Sequence, residues 1–382
     1  MSAHAAVPRR SPGGAALAAL LLLFLAVPLR AQEAPAGSVT GLMLSARDGS
    51  PYRYARVTLA GSAGSGAALT DAQGAFEFRE VPPGDYRVRL ELLGFEPDSG
   101  VGVHVTPGSH QDLMVRQGAL KAVVIPPTGA PAPVCYPGSL LERSPVLAAL
   151  WAQAQRSARN RRLFDLTYEY RVHVSEKLQD FFRVRFPEEL GPAAAGVRLP
   201  EQLGAAAHRK HDLRSTPARA RALAARGSYA GFGVDMDSSR LVSVPEMLEV
   251  LDDGYLRSNC IQALADRPGE RRVRFQPLNA DPDVTDLMGN VVLDEHYVPR
   301  RIEFEYRRGG GVVARGVAQL GDGDLPGGQV VFLRHLQVEM LSAPEKVGDS
   351  IELSPRTLAS GERAAVDVKY GGVRRPAPGG RP

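Results

Sequence analysis

Leu69-Thr70-Asp71-Ala72-Gln73-Gly74-Ala75-Phe76-Glu77-Phe78-Arg79-Glu80-Val81-Pro82-Pro83-Gly84-Asp85-Tyr86-Arg87-Val88-Arg89-Leu90 spells a turn, a short strand, a second turn and a longer strand. Successive side chains of a strand point to opposite faces, so apolar residues at every second position mark a half-buried strand. Phe76 and Phe78 alternate with Glu77 and Arg79; Tyr86, Val88, Leu90 and Leu92 alternate with Arg87, Arg89 and Glu91. Asp71-x-x-Gly74 has the residues of a tight turn, and Pro82-Pro83-Gly84 stops one strand and opens the next.

The pattern continues outward. Val39–Leu44 reads as an opening strand, Ala55, Val57 and Leu59 as another, Val101, Val103 and Val105 as a third and Asp112–Val115 as the closing one. Asp48-Gly49 and the Gly/Ser-rich 61–66 connect strands and supply residues tolerant of positive φ. About seven short strands at spacings of roughly 8–12 residues predict a β-sandwich.

The Gly41 strand, Asp48-Gly49-x-Pro51, Ala55-x-Val57-x-Leu59, Thr70-Asp71-x-x-Gly74-x-Phe76-x-Phe78-x-x-Val81-Pro82-Pro83-Gly84-x-Tyr86 and Gly94-Phe95 resemble the carboxypeptidase regulatory-like domain. That resemblance implies an all-β Ig/transthyretin-like sandwich, also grouped with carbohydrate-binding-like folds, over residues 32–125. It implies no active site, because such modules occur beside catalytic domains without supplying their chemistry. If the sandwich binds glycans, exposed aromatics at a loop end should stack on sugar rings, and Tyr52, Tyr54 and Phe95 are the candidates.

The N-terminus reads as a signal peptide over residues 1–31. Arg9 and Arg10 precede an apolar run from Ala15 to Val27, and cleavage is expected after Ala31. The run is too short to span a bilayer, and no cysteine follows it to carry a lipid anchor. The mature chain is therefore expected to be exported, periplasmic or secreted, with no transmembrane segment. A net charge of +4 does not indicate a nucleic-acid partner, since only five basic residues are lysines and the arginines lie among acids. The clusters Arg156–Arg162 and His208–Arg226 read as solvated faces, the second in a loop.

Cys135 and Cys260 are the two cysteines. In an oxidising compartment they suggest one bridge, closing a loop of about 125 residues and stabilising by roughly 4–5 kcal/mol on the chain-entropy model. Two buried free thiols are the alternative.

Beyond a Pro-rich linker at 126–139, preceded by a short apolar strand at 120–125, residues 140–370 are expected to form an α+β domain with an antiparallel meander. Ser144-Pro145 opens a helix with Ser as N-cap. Phe164, Leu166, Tyr168, Tyr170, Val172 and Val174 alternate as one long strand, Pro187–Pro217 reads as a mobile excursion, and helices follow near 217–225 and 245–257. Strands return from Arg272: Val273 and Phe275, Val291–Asp294, Ile302-x-Phe304-x-Tyr306, Val312–Leu320 and Val330–Leu341. A disordered tail is expected over 371–382. Cys135, Leu150-Trp151, Tyr255-Leu256-x-x-x-Cys260, Gly289-x-Val291-x-Leu293-Asp294 and Arg300-Arg301-Ile302-x-Phe304-x-Tyr306 are similar to a group of exported bacterial proteins with no assigned activity. That group shows His before the second cysteine, where this chain has Asn259.

Catalytic and metal motifs are sparse. His173-x-x-Glu176 matches half of a zinc-peptidase set, but i and i+3 of a strand face opposite ways. His208-x-x-His211 lies in the excursion and reads as a polar turn. Asp235-x-Asp237 and Asp281-x-Asp283-x-x-Asp286 lack the glycine and terminal glutamate of a calcium loop. There is no nucleophile elbow, phosphate loop or dinucleotide fingerprint. No catalytic residue, metal or cofactor is assigned. The expectation is a non-catalytic, exported cell-envelope protein whose sandwich binds or scaffolds an envelope protein or glycan. The alternatives are carbohydrate binding proper, a zinc-dependent hydrolase on His173 and Glu176, and a periplasmic amphiphile carrier whose curved sheet encloses an apolar cavity.

Overall fold

The computed structural model describes residues 34–128, 134–179, 208–225, 232–237, 240–244, 247–279, 286–323, 325, 329–341 and 363–376. The expected signal peptide lies outside them, as do most of the expected 187–217 excursion, Asp281, Asp283 and residues 377–382.

Seven strands form the N-terminal sandwich: β1 (Gly37–Ser45), β2 (Arg56–Gly61), β3 (Gly64–Leu69), β4 (Ala75–Val81), β5 (Gly84–Glu91), β6 (Val101–Val105) and β7 (His110–Gln117). They pair as β4-β1-β7 and β3-β2-β5-β6. The alternating residues meet between the sheets, where Val39, Met43, Val57, Phe76, Tyr86, Val88, Leu90 and Val115 are buried. The turns are built as their residues dictate. Asp71 Oδ1 accepts from the Gln73 and Ala75 amides at 2.9 and 2.8 Å. Gly74 has φ 82°, and a Cβ there would lie 2.8 Å from the Met43 carbonyl oxygen. Tyr86 Oη donates to the Pro82 carbonyl at 2.8 Å, pinning the Pro-Pro-Gly corner. The stretch at 61–66 is a hairpin between β2 and β3 rather than a loop, so β3 extends the sheet where glycines hid its alternation.

The second half is one ten-stranded antiparallel sheet with a long helix on its apolar face. Its strands are β8 (Tyr136–Pro137), β9 (Glu169–Gln179), β10 (His208–Ser215), β13 (Asn259–Ala263), β14 (Arg271–Pro277), β15 (Asp286–Leu293), β16 (Pro299–Arg308), β17 (Gly311–Gly321), β18 (Phe332–Met340) and β19 (Arg363–Arg374). The order is β10-β9-β19-β18-β17-β16-β15-β14-β13-β8. A separate hairpin pairs β11 (Phe232–Asp237) with β12 (Arg240–Val244). Helix α1 (Pro145–Thr167) buries Leu147, Leu150, Trp151, Ala154 and Phe164 against Val172, Phe275, Val291, Ile302, Leu336 and Val368. A second helix, α2 (Pro217–Ala225), follows β10. Burying each of these large side chains stabilises by about 2 kcal/mol.

The two halves share a core. Tyr54, Leu69 and Leu93 of the sandwich and Ile125 just after it belong to the same buried cluster as α1 and the large sheet. Polar contacts register the join: Leu93 N–H to Gln329 Oε1 at 2.7 Å, Ile125 N–H to Tyr297 Oη at 2.9 Å, and Arg156 to the Phe95 carbonyl at 3.1 Å.

Several local expectations are corrected. Phe164 and Leu166 are the last turn of α1, because the helix runs to Thr167 and the strand begins at Glu169. Their spacing fits both a strand and a helix end, and burial against the sheet chose the helix. Ser144 caps α1 by position only, with no side-chain cap bond. The helix expected over 245–257 is two 3-10 turns, Leu248–Leu251 and Tyr255–Arg257. Residues 120–125 make a single bridge, Phe95 to Ala122, in place of a strand. Tyr136–Pro137, inside the expected linker, is the edge strand β8, paired with β13. His208–Ser215 is strand β10, not loop. The expected tail is strand through Arg374. Among the arginines read as a solvated face, Arg159 and Arg162 are exposed but Arg161 is buried. Its guanidinium bonds Asp165 and Tyr170 and stacks 4.6 Å from the Phe332 ring centroid.

Candidate functional site

The aromatic candidates of the sandwich are largely consumed by packing. Tyr54 is buried edge-on against Phe164 and Tyr168, with ring centroids 6.0 and 5.7 Å away. It also adopts a left-handed backbone, φ 51°, which costs a non-glycine residue about 1–2 kcal/mol. Burial of its ring holds it there, so Tyr54 is a joint between the halves and not a sugar platform. Tyr52 packs half-buried against the sandwich core, and Phe95 sits half-buried at the join with its carbonyl taken by Arg156. Cys135 and Cys260 are joined as a disulfide, with Cα atoms 5.5 Å apart, beside the β8–β13 pairing.

The metal candidates are dispersed. His173 Nδ1 pairs with Asp212 across β9 and β10, and both side chains are exposed. Glu176 stands opposite Arg209, three positions further along the same ladder; His208 stands opposite Lys177 and His211 opposite Val174. Asp235 and Asp237 lie on β11, and Asp286 opens β15. Among the described residues, no group of three His, Cys, Asp or Glu side chains is placed to hold a metal ion.

What the large sheet does offer is a polar groove of about 610 Å³ on the face opposite α1. The core-facing residues of β14–β18 are apolar, so alternation sends their neighbours outward. One row across the strands reads Arg274, Asn290, Glu303, Val317, Gln337, and the next reads Met288, Glu305, Arg315, Glu339. Directly opposed side chains on neighbouring strands interact, and here they carry complementary groups. Glu303 is the hub. Its Oε1 accepts from Arg301 at 2.9 Å, and its Oε2 accepts from Asn290 at 3.2 Å and Arg272 at 3.3 Å. Burial pushes the Glu303 carboxyl up, but the bonds from Asn290 and Arg301, with the charges of Arg301 and Arg272, outweigh it and hold the group below its ordinary value. Arg315 reaches Glu339 at 2.7 Å, and Arg307 lies 3.2 Å from Glu305.

Pairs this exposed contribute about 0–1 kcal/mol each. Their consequence is positional, because they fix planar polar groups on interior strands. The groove's lining also includes Gly289, Phe304 and Gly316. Beneath it the Phe275 and Phe304 rings lie so close that a Cβ on Gly289 or Gly316 would collide with them. Bulges at Val292/Leu293, Tyr306/Arg307 and Gln319/Leu320 bend these strands around the groove. The groove is lined mainly by charged and amide side chains, with Met288, Phe304 and Val317 among them. The sequence reading missed it by following only the apolar half of each alternation. The outward run Arg301-x-Glu303-x-Glu305-x-Arg307 was the available signal.

Residues 38–116 match the family model of the carboxypeptidase regulatory-like domain. The chain thus carries that domain, an Ig-like sandwich, docked on a mostly β second half. No curated protein matches the chain. Among solved structures it is similar to the Bacillus anthracis TIE protein, at 20% identity and TM-score 0.20, over 23% of this chain and 17% of that one. A DUF3823 family protein from Bacteroides ovatus ATCC 8483 is similar at 13% identity and TM-score 0.18, over 63% of this chain and 90% of that one. A protein from Bacteroides uniformis ATCC 8492, provisionally described as carbohydrate binding, is similar at 10% identity and TM-score 0.19, over 75% of this chain and all of that one. The chain spans only 17% of the TIE protein. Likeness this low carries no argument about function.

Proposed function

We propose that the protein is a non-catalytic, exported protein of the cell envelope that binds or scaffolds an envelope protein or glycan. The observation that carries this reading is the groove on the large sheet, whose charged side chains are mostly neutralised by one another and held on interior strands. That is an arrangement for recognition. Catalysis would call for a nucleophile beside a base, or an acid and a base with separated pKa values, and the groove's lining supplies arginines, paired glutamates and amides instead. The sandwich supports the reading as a module known for company with other domains rather than for chemistry, and its docking end is already occupied within the chain. The Cys135–Cys260 bridge fits an oxidising compartment. No helix among the described residues is long and apolar enough to cross a membrane.

The test is expression of the full chain in a bacterial host, followed by cell fractionation, intact mass and pull-down with envelope glycans and defined envelope proteins. A periplasmic or secreted product starting at Gln32, two daltons lighter before reduction, with a saturable envelope ligand, is expected. A chain retained in the cytoplasm with free thiols, or turnover of hydrolase substrates by the purified protein, would overturn the reading.

A further inference from the structure

Arg274, Gln276 and Gln337 line the groove, and among the described residues none of the three side chains finds a partner. The lining otherwise neutralises itself. Arg301, Arg307 and Arg315 are matched by Glu303, Glu305 and Glu339, so Arg274 is the cation left over. It stands on β14 beside Gln276, and Gln337 stands on β18 at the other end of the same row. Four strand intervals separate them, about 19 Å at the usual spacing between strands. We infer that the groove takes a short, carboxylate-bearing saccharide, with its acid group on Arg274 and its hydroxyls on Gln276 and Gln337. The inference rests on the binding role proposed above and names the ligand of that site.

Charge complementarity sets the first property of the ligand. A single uncompensated guanidinium suits one carboxylate in its bidentate fork, whereas a nucleic acid or other dense polyanion would meet three nearby glutamates. The amides set the second. Each carboxamide both donates and accepts, which matches a hydroxyl that does the same. The sheet sets the third. Strands β14–β18 are each hydrogen-bonded on both sides, so no open edge is present for an extended peptide to join. The apolar lining is confined to Met288, Phe304 and Val317, with Phe304 itself buried, so no deep pocket waits for an apolar anchor residue. A polyhydroxylated chain with one or few acid groups is the class that remains. The mutual pairing of the other charges holds the groove open and keeps those arginines from competing for the ligand.

The test is titration calorimetry on the mature full-length protein with three probes: a galactose tetramer ending in a single galacturonic acid (the galacturonate probe), a plain tetramer of galactose and a tetramer of glutamic acid. The expected result is saturable binding of the galacturonate, at least tenfold tighter than the galactose tetramer, weakening as salt rises. Arg274→Gln should reduce galacturonate affinity at least tenfold and leave the weaker galactose binding unchanged. Gln337→Ala should weaken both, and Lys121→Ala, on the exposed connection after β7, neither. Circular dichroism and thermal unfolding confirm that each variant is folded. Equal affinity for the acidic and neutral sugars, unchanged galacturonate binding in Arg274→Gln, or preference for the glutamate tetramer would each overturn the inference. Binding of a defined envelope protein with no affinity for any saccharide would overturn it and leave the broader binding role standing.

Discussion

Tyr168 Oη donates a hydrogen bond to the Thr70 carbonyl at 2.8 Å, tying the corner between α1 and β9 to the turn that opens the regulatory-like module's central motif. Thr70 in turn is fixed by its own side chain, whose Oγ1 accepts from the Ala55 amide at 2.9 Å and donates to the Tyr52 carbonyl at 2.5 Å. The signature turn of the module therefore ends on a buried tyrosine of the other half. Burial pushes the Tyr168 phenol up to about 12, despite the nearby Arg375 charge, so it remains a donor across the physiological range.

Tyr168→Phe should destabilise the folded chain by about 1 kcal/mol, the net worth of one buried hydrogen bond, and somewhat more if the Thr70 carbonyl is left without a partner. Denaturant unfolding of the variant against the native protein measures this. A change smaller than about 0.3 kcal/mol would mean the join is not held here.

Arg161 and Asp165 are both buried on α1, with Tyr170 bonded to each. Removing one charge strands the other, so Arg161→Met alone should cost about 3–5 kcal/mol. Replacing both with apolar residues, Arg161→Met with Asp165→Leu, should recover most of that loss. A double-mutant cycle by urea unfolding separates the two cases.

Burial pushes the Glu249 carboxyl up to about 7; a backbone bond opposes this and the neighbouring Asp252 charge adds to it. Its ordinary value is 4.5, so between pH 4.5 and about 7 the folded chain holds a proton that the unfolded chain has released. The contribution to stability is therefore full below pH 4.5, falls as pH rises through that window and is lost above about 7. Glu249→Gln should flatten this slope and raise stability at pH 8 relative to the native chain. Thermal unfolding from pH 4.5 to 8.5 would read it, and parallel pH profiles for the two proteins would refute it.

Reduction of Cys135–Cys260, or the double Cys→Ser variant, releases a constraint across 125 residues. The expected loss is about 2–5 kcal/mol, seen as a lower unfolding midpoint under reducing conditions.

Gly94→Ala should weaken the join between the halves. The backbone there has φ 80°, and a Cβ would lie 2.9 Å from the His296 carbonyl oxygen. A loss of about 1 kcal/mol or more is expected from the conformation alone, since left-handed backbone disfavours any side chain. Faster proteolytic cutting between the module and the second half would report the loosening.

The sandwich was legible in the sequence because its information is local. Alternation in Tyr86-x-Val88-x-Leu90 and turn chemistry at Asp71-x-x-Gly74 and Pro82-Pro83-Gly84 each fix a short stretch without reference to the rest of the chain. The meander from β14 to β18 was readable for the same reason. Strand β19 was missed although Val366, Val368 and Tyr370 alternate with Asp367 and Lys369, because the Gly/Pro/Arg composition beyond them dominated the reading. Strand β13 was missed because five residues ending in Ala263 carry little periodicity.

The sequence by itself determined which residues share a face, where the turns fall and that two cysteines stand alone. Only the tertiary structure decided what each face meets. Residue type and position mark Tyr54 as a candidate loop-end sugar platform and Arg161 as one of a solvated basic cluster, yet packing buried both: the module's end closes on α1, and α1 is covered by the sheet on the side where Arg161 lies. The groove arises in the same way. Arg274, Glu303 and Gln337 are far apart in the chain and carry no common motif. Antiparallel pairing of β14 through β18 brings them into one row, and that register is set by the buried apolar side chains on the opposite face.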